Sequence, residues 1–359
     1  MTSSSPIGIL GIGVHLPADI RSNDWWAEEL VARWSSQVAA RHRHDRLPAD
    51  ATEGQRLVLE AMAELASDPF RGAVERRVMA DGTPITDLEI AASREALDRA
   101  GVAAEEIDLL LTGTVVPDHL TTNPACTVHA ALGLPRRCLT LSVDSACNGF
   151  HHQVTLAEAM IAAGQARKAL LVQSSNFSRI LPYSEPYSAW FGDGASAVVL
   201  GEVSAGHGLL GRAHRTDGEL QYGLVSSVVG GTAFDEGRIV FHAERPECAR
   251  GMLDSIADNA KDAIAAALRD ADLLPEAVDF YACHQGFPWL RRVTQRFAGL
   301  TNARSLDTFR LAANAASVNV PLVLAMAERE GMLNNGDVVV TYGGGSGITW
   351  SSLVLRWGR

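Results

Sequence analysis

Short apolar runs alternate along the chain with longer stretches in which apolar residues recur every three or four positions. A continuous or alternating apolar run marks a strand, and the three-to-four spacing marks a helix. On this basis Ile7–Val14, Ile107–Val115, Leu139–Val143, Lys168–Gln173 and Ala195–Leu200 are predicted strands. The alternation of Leu139, Leu141 and Val143 predicts a short buried one. Thr86–Ala100 is a predicted helix, carried by Leu88, Ala91, Ala92, Leu97 and Ala100 and stopped by Gly101. Thr121–Leu132 turns through T-T-N-P into another. Phe150, Val154, Ala157 and Ile161 then fall at helical spacing, so Cys147 stands where a strand ends and a helix begins. Between Asp24 and Ser67, Trp25, Trp26, Leu30 and Trp34 form one helical pattern, and Leu57, Leu59, Met62 and Leu65 another. The tryptophans are expected to pack. The intervening Arg41–Arg46, RHRHDR, is expected to be a solvated loop. Ile7–Val14 contains G-I-L-G-I-G, but His15, Leu16 and Pro17 follow where a dinucleotide loop would open a helix.

The order of elements repeats. Glu95–Asp108 aligns without a gap to Ala266–Asp279, about 170 residues on, and the strand LLLTG then matches FYACH. Ala159-Met160 matches Ala325-Met326, KALLV matches DVVVT, and AVVLGE matches SLVLRW. Two halves of alternating strands and helices are implied, 1–204 and 205–359, with a helical insertion at about 24–70 in the first. The turn bearing Cys147 corresponds to the turn bearing Asn314, so the two are predicted to be equivalent. Two such halves related by a pseudo-twofold would bring these helix starts together. His284 ends the strand FYACH and points to the same seam.

Composition narrows the function. The chain has 359 residues, is 47% hydrophobic and carries a net charge of −11. That balance argues against a nucleic-acid binder, which needs a basic face. Five cysteines without a C-x-x-C pair argue against a structural metal site and fit a reducing compartment. The first residues, MTSSSPIGILGIGVHLP, lack a basic region and a cleavage site for secretion, and no apolar run is long enough to span a bilayer. A cytoplasmic protein is expected.

The chemistry gathers at Cys147. A lone cysteine is usually a small buried hydrophobe. A helix start, however, favours negative charge and is expected to lower the thiol pKa. Small neighbours, Ser145, Ala146 and Gly149, leave room for a substrate carbonyl. His284 taken alone is a core histidine and Asn314 a helix cap; their company is what counts.

DSACNGF around Cys147, HQG at His284–Gly286, NAASVNVP at Asn314–Pro321, FGDGA at Phe191–Ala195, YGGG at Tyr342–Gly345 and FRGAVERR at Phe70–Arg77 occur in this order. Together they resemble the β-ketoacyl-acyl-carrier-protein synthase III family of thiolase-fold condensing enzymes, from Ile7 to Trp357. The resemblance implies an α/β, thiolase-like fold, with duplicated βαβ-built halves in a layered α-β-α-β-α core. It implies a homodimer, with Cys147 as nucleophile and His284 and Asn314 as donors to an enolate. It implies an oxyanion hole from the N–H groups of Cys147 and Gly344. It places Thr121, Phe191 and Phe287 along the acyl tunnel. Thr121 stands where short-chain members often carry a bulky phenylalanine, so medium or long acyl groups are expected. Acyl carrier protein and/or coenzyme A thioesters are the implied partners, with no cofactor and no metal. Trp289 replaces the family's carrier-docking arginine, so Arg291, Arg292 and Arg296 are the substitutes. Ser67 replaces the tryptophan that stacks on adenine, and Phe287 the asparagine after the histidine motif. The implied reaction is Cys-dependent decarboxylative Claisen condensation of an acyl thioester with a malonyl-type thioester, in fatty acid or polyketide biosynthesis. The alternative is acyl transfer to a hydroxyl or amine without condensation.

Overall fold

The structure, a computed structural model, describes residues 5–42, 49–121 and 123–359. Strand β1 (Ile7–His15) is followed by the short β2 (Ile20–Ser22), helices α1 (Glu28–His42) and α2 (Glu53–Glu64), and β3 (Glu75–Arg77), which pairs with β2. Helix α3 (Ile85–Ala100) ends at Gly101, whose φ of 63° is the left-handed stop that glycine adopts freely. Then come β4 (Leu109–Thr114), α4 (Pro124–Leu132), β5 (Leu139–Ser142), α5 (Gly149–Ala162), β6 (Ala169–Asn176) and β7 (Asp193–Glu202). The five long strands form one sheet in the order β1-β7-β6-β4-β5.

The rest of the chain repeats this plan. Strand β8 (Gly208–Thr216) precedes a small hairpin, β9 (Val225–Ser227) and β10 (Val240–His242), and the long helix α6 (Pro246–Asp270). Next are β11 (Phe280–Cys283), α7 (Leu290–Phe297), β12 (Arg304–Ser305), α8 (Phe309–Ala312), α9 (Asn319–Arg329), β13 (Val338–Gly345) and β14 (Thr349–Arg356). The second sheet runs β8-β14-β13-β11-β12. Replacing each strand by its counterpart turns one order into the other. The parallel and antiparallel pairings correspond as well.

Strand alternation assigns the layers. Leu109 and Leu111 of β4 face a central core shared with Phe150 and Val154 of α5, Val320 and Val323 of α9, and Phe280 and Val339 of the second sheet. Leu110, one residue out of phase, faces Ala92 and Ala96 of α3 on the other side. In the second sheet Val338 and Val340 face Ala260 and Ile264 of α6. The result is α-β-α-β-α, with α5 and α9 buried between two sheets. Gly11 and Gly13, which gave the N-terminal stretch its nucleotide-loop look, serve this packing. A Cβ on Gly13 would lie 2.0 Å from the Ala92 carbonyl oxygen, so α3 can rest directly on β1.

Two sequence expectations change. Strand β5 is not buried: Leu139 is 46% and Leu141 40% exposed. It lies at the sheet edge and, among the described residues, pairs only with β4. Cys147 and Asn314 are not equivalent residues, although their turns are. Ala146 and Ala316 both take positive φ, 46° and 52°, and each opens a short 3-10 turn into α5 or α9. Aligning them sets Cys147 against Ser317 and Asn314 against Asp144. The arginine-rich loop also lies largely outside the described residues: only the backbone of Arg41 and His42 is described, as the end of α1, and residues 43–46 are not. Trp26 and Trp34 pack as expected, while Trp25 is 51% exposed and precedes α1. Trp26 and Trp34 are buried with Phe70, Ala189 and Phe309, and Trp34 Nε1 donates to the Ser184 carbonyl at 2.9 Å. The insertion thus holds the segment that leads into Phe191.

Candidate active site

The turn bearing Cys147 is braced on both sides. Val143 N donates to the Thr112 carbonyl at 2.6 Å, and Ala146 N to Asp144 Oδ1 at 3.2 Å. Positive φ at a non-glycine residue is strained and must be held by its surroundings. Here the end of β13 does so. A Cβ on Gly345 would lie 3.0 Å from the nitrogens of Cys147 and Asn148, so only glycine lets the strand reach the turn. Gly344, the expected oxyanion residue, is next to it. Cys147 joins an apolar cluster with Phe177, Ile180, Phe191, Phe241 and Ala316. That burial, with the neighbouring Asp144 adding to it, pushes the thiol up to about 12 against the pull of a backbone N–H. The expected lowering by the helix start is therefore outweighed in the free site. Asp144 is itself raised by burial.

His284 and Asn314 approach from the other half. His284 follows β11 and is anchored by its N–H to the Tyr342 carbonyl at 2.8 Å. Asn314 bridges to Phe191: its N–H donates to the Trp190 carbonyl at 2.8 Å, and its carbonyl accepts from Gly192 N at 3.1 Å. So FGDGA carries Phe191 to Cys147 and Asn314 at once. Burial lowers His284 to about 4, partly countered by the Ala316 carbonyl, so the imidazole is neutral at working pH. A residue the motifs did not single out joins the pair: Asn319 Nδ2 lies 3.1 Å from Asn314 Oδ1 and 3.2 Å from His284 Nδ1. The turn bearing Cys147 and the turn that follows Asn314 thus meet at the seam between the halves, with Cys147 packed against Ala316.

Comparison with known proteins shows the family. Residues 141–218 match the family model for 3-oxoacyl-(acyl-carrier-protein) synthase III, and residues 268–357 match its C-terminal part. A synthase III of Bacillus pumilus is 32% identical over 307 residues, 84% of this chain and 94% of that one. The Rhodospirillum centenum enzyme is 33% identical over 294 residues, 80% of this chain and 88% of its own. The chain belongs to the 3-oxoacyl-(acyl-carrier-protein) synthase III family. The fold is shared with the priming β-ketosynthase of the R1128 polyketide pathway, at a TM-score of 0.79 and 22% identity over 100% of this chain and 98% of that one.

Other expected positions of this synthase III homologue fall elsewhere. Arg291 is committed within the fold: Nε and an Nη donate to the two carboxylate oxygens of Asp307 at 2.7 and 2.6 Å, and the other Nη to Ser305 and Gln295. Its guanidinium is therefore already engaged in the single chain. Arg292 pairs with Glu64 of α2, and Arg296 is exposed. Phe287 stacks on Trp289 with centroids 5.0 Å apart, on a different wall from Phe191. Phe191 instead packs with Phe177 at 4.6 Å and Phe241 at 5.1 Å. Phe177 and Phe241 had no motif to flag them. Thr121 is exposed; Thr122 lies outside the described residues.

Behind the Cys147 turn is a polar network that includes residues of CNGFHH. Asn148 Nδ2 lies within 3.1 Å of His152 Nε2, Thr349 Oγ1 and Ser351 Oγ. His152 Nδ1 meets Ser145 Oγ at 2.8 Å, and His214 Nδ1 meets Ser351 Oγ at 2.8 Å. Burial lowers His151, His152 and His214, so the network is neutral. Among the described residues no group of His, Cys, Asp or Glu is placed to hold a metal, and no helix is long and apolar enough to cross a membrane.

Proposed function

We propose that this synthase III-family chain is an enzyme that condenses an acyl thioester with a malonyl-type thioester, releasing CO₂, in the making of fatty acids or polyketides. The observation that carries the reading is the convergence of neutral His284 and Asn314 beside the Cys147 turn. The relatives are named for this reaction. In the first step the Cys147 sulfur attacks the thioester carbonyl, and its proton leaves with the departing carrier thiol. The N–H groups of Cys147 and Gly344 hold the oxyanion. In the second step the malonyl-type donor loses CO₂, and His284 and Asn314 hold the enolate oxygen. The enolate carbon attacks the acyl carbonyl, and the Cys147 sulfur leaves and regains a proton. No cofactor enters these steps.

The acyl donor is carried by a carrier protein or coenzyme A. Arg296, with Arg292, is the basic face left for the carrier. The open edge of β5 favours a homodimer formed across that edge. Thr121, reaching from the partner, leaves the tunnel open to medium or long chains. The site of action is cytoplasmic.

Loading the enzyme with an acyl thioester and adding a malonyl thioester labelled in its free carboxylate should give labelled CO₂ and a lengthened product. Asn314→Ala should load Cys147 nearly normally yet release CO₂ about 10²–10³ more slowly. Transfer of the acyl group to an alcohol or amine, with no CO₂ from any donor, would favour simple acyl transfer instead.

A further inference from the structure

The condensing reading asks His284 and Asn314 to donate hydrogen bonds, yet each side chain has two orientations of opposite character. A neutral imidazole carries its proton on either nitrogen, and an amide presents either its NH₂ or its oxygen. We infer that Asn319 decides both and is a positioning residue for the decarboxylation step; the kinetic part of this inference rests on the condensing reading.

Asn319 is fully buried at the first position of α9. Its Oδ1 accepts from the backbone N–H of Ala315 at 3.1 Å. A backbone N–H can only donate, so the amide cannot be turned round, and Nδ2 must face the other way. Its two hydrogens then meet two acceptors. One is Asn314 Oδ1 at 3.1 Å, the other His284 Nδ1 at 3.2 Å. An amide nitrogen does not accept, so Nδ1 is the bare nitrogen and the His284 proton sits on Nε2. Asn314 Oδ1 also accepts from Ala316 N at 2.9 Å. With its oxygen held twice, Asn314 has its Nδ2 left to donate elsewhere. One buried amide thus sets two donors, His284 Nε2–H and Asn314 Nδ2–H.

Alternatives at this position fail for stated reasons. An aspartate would place an acceptor against His284 Nδ1 and draw the proton there, making Nε2 an acceptor that repels an enolate oxygen. A leucine would keep the bulk and orient neither group. A serine has one hydrogen to offer where two acceptors wait.

Histidine labelled with ¹⁵N reports its tautomer in the free enzyme, without substrate, and His284→Gln assigns the signal. The wild-type signal should be that of the Nε2–H form. In Asn319→Asp, Nδ1 should become protonated; in Asn319→Leu the preference should be lost. Intact mass should show Cys147 acylated in both variants within about threefold of the wild-type rate, while CO₂ release falls about 10²–10³-fold. A wild-type Nδ1–H tautomer would overturn the inference whatever the variants do. So would an unchanged CO₂ rate in Asn319→Leu that still acylates. If the wild type shows Nε2–H but releases no CO₂, the condensing reading and the kinetic half fail, while the tautomer assignment stands.

Discussion

At the scale of single residues, Cys147, the proposed nucleophile, has a raised pKa. Burial holds the thiol protonated in the free site, whereas attack on a thioester needs the thiolate. The remaining free cysteines differ in a telling way. Cys138, Cys248 and Cys283 are buried, and Cys126 is exposed. A purely exposure-driven reagent should therefore find Cys126 first. An acyl thioester, steered by the backbone donors at the turn, should be found on Cys147. Peptide mapping after each treatment checks this, and Cys147→Ala should abolish acylation by the thioester alone. An acyl adduct on Cys126, or turnover by Cys147→Ala, would remove Cys147 from the proposed mechanism.

At the scale of elements, β5 is the anomaly. An exposed parallel edge with apolar Leu139 and Leu141 invites pairing with another chain unless it is covered. The strand also leads directly into the nucleophile turn, so a partner seated there would brace the site. Leu141→Arg should yield a monomer by light scattering, because a charge buried in a closed interface is not tolerated. Activity should fall with it, although the fold of the single chain should be intact by circular dichroism. A wild-type monomer would refute the dimer. Strand β1 makes a second point at this scale: its glycines are spaced for the approach of α3 rather than for a ligand, which is why no helix opens after them.

At the scale of the whole molecule, buried ionisable groups set a pH window for stability. Glu89, buried in α3 against Ser174, is raised to about 7, chiefly by burial. In the unfolded chain it titrates near 4.5. The folded state therefore holds its proton more tightly, and stability is lost as pH rises from 4.5 to 7. At about 1.4 kcal/mol per pH unit the loss is up to roughly 3 kcal/mol, constant above that range. Glu89→Gln should match the parent near pH 5 and be more stable at pH 8, as read by urea unfolding at both values. Equal stability at pH 8 would mean that the carboxylate is not desolvated. The histidines act in the opposite sense. His214 and His284 are lowered to about 4, so their contribution fades as pH falls from 6.5 toward 4.

Much of this was legible in the chain alone. Strand and helix order, the duplication, and the placing of Cys147, His284 and Asn314 on equivalent or neighbouring turns follow from local periodicity and motif order. These are properties of short segments, and a repeated segment folds twice into the same unit. The tertiary structure alone decided the rest. The exposure of β5 depends on its place at the sheet edge, which alternation cannot reveal. The loss of Arg291 to Asp307 depends on two segments meeting in space. The raised thiol pKa reflects the desolvation of Cys147 by residues from both halves, which outweighs the effect of a helix start. Asn319 reads in sequence as one more residue of a helix. It becomes a candidate for controlling the site only when the fold sets its amide between Ala315, Asn314 and His284, because hydrogen-bond direction is a relation among atoms that the linear order does not place.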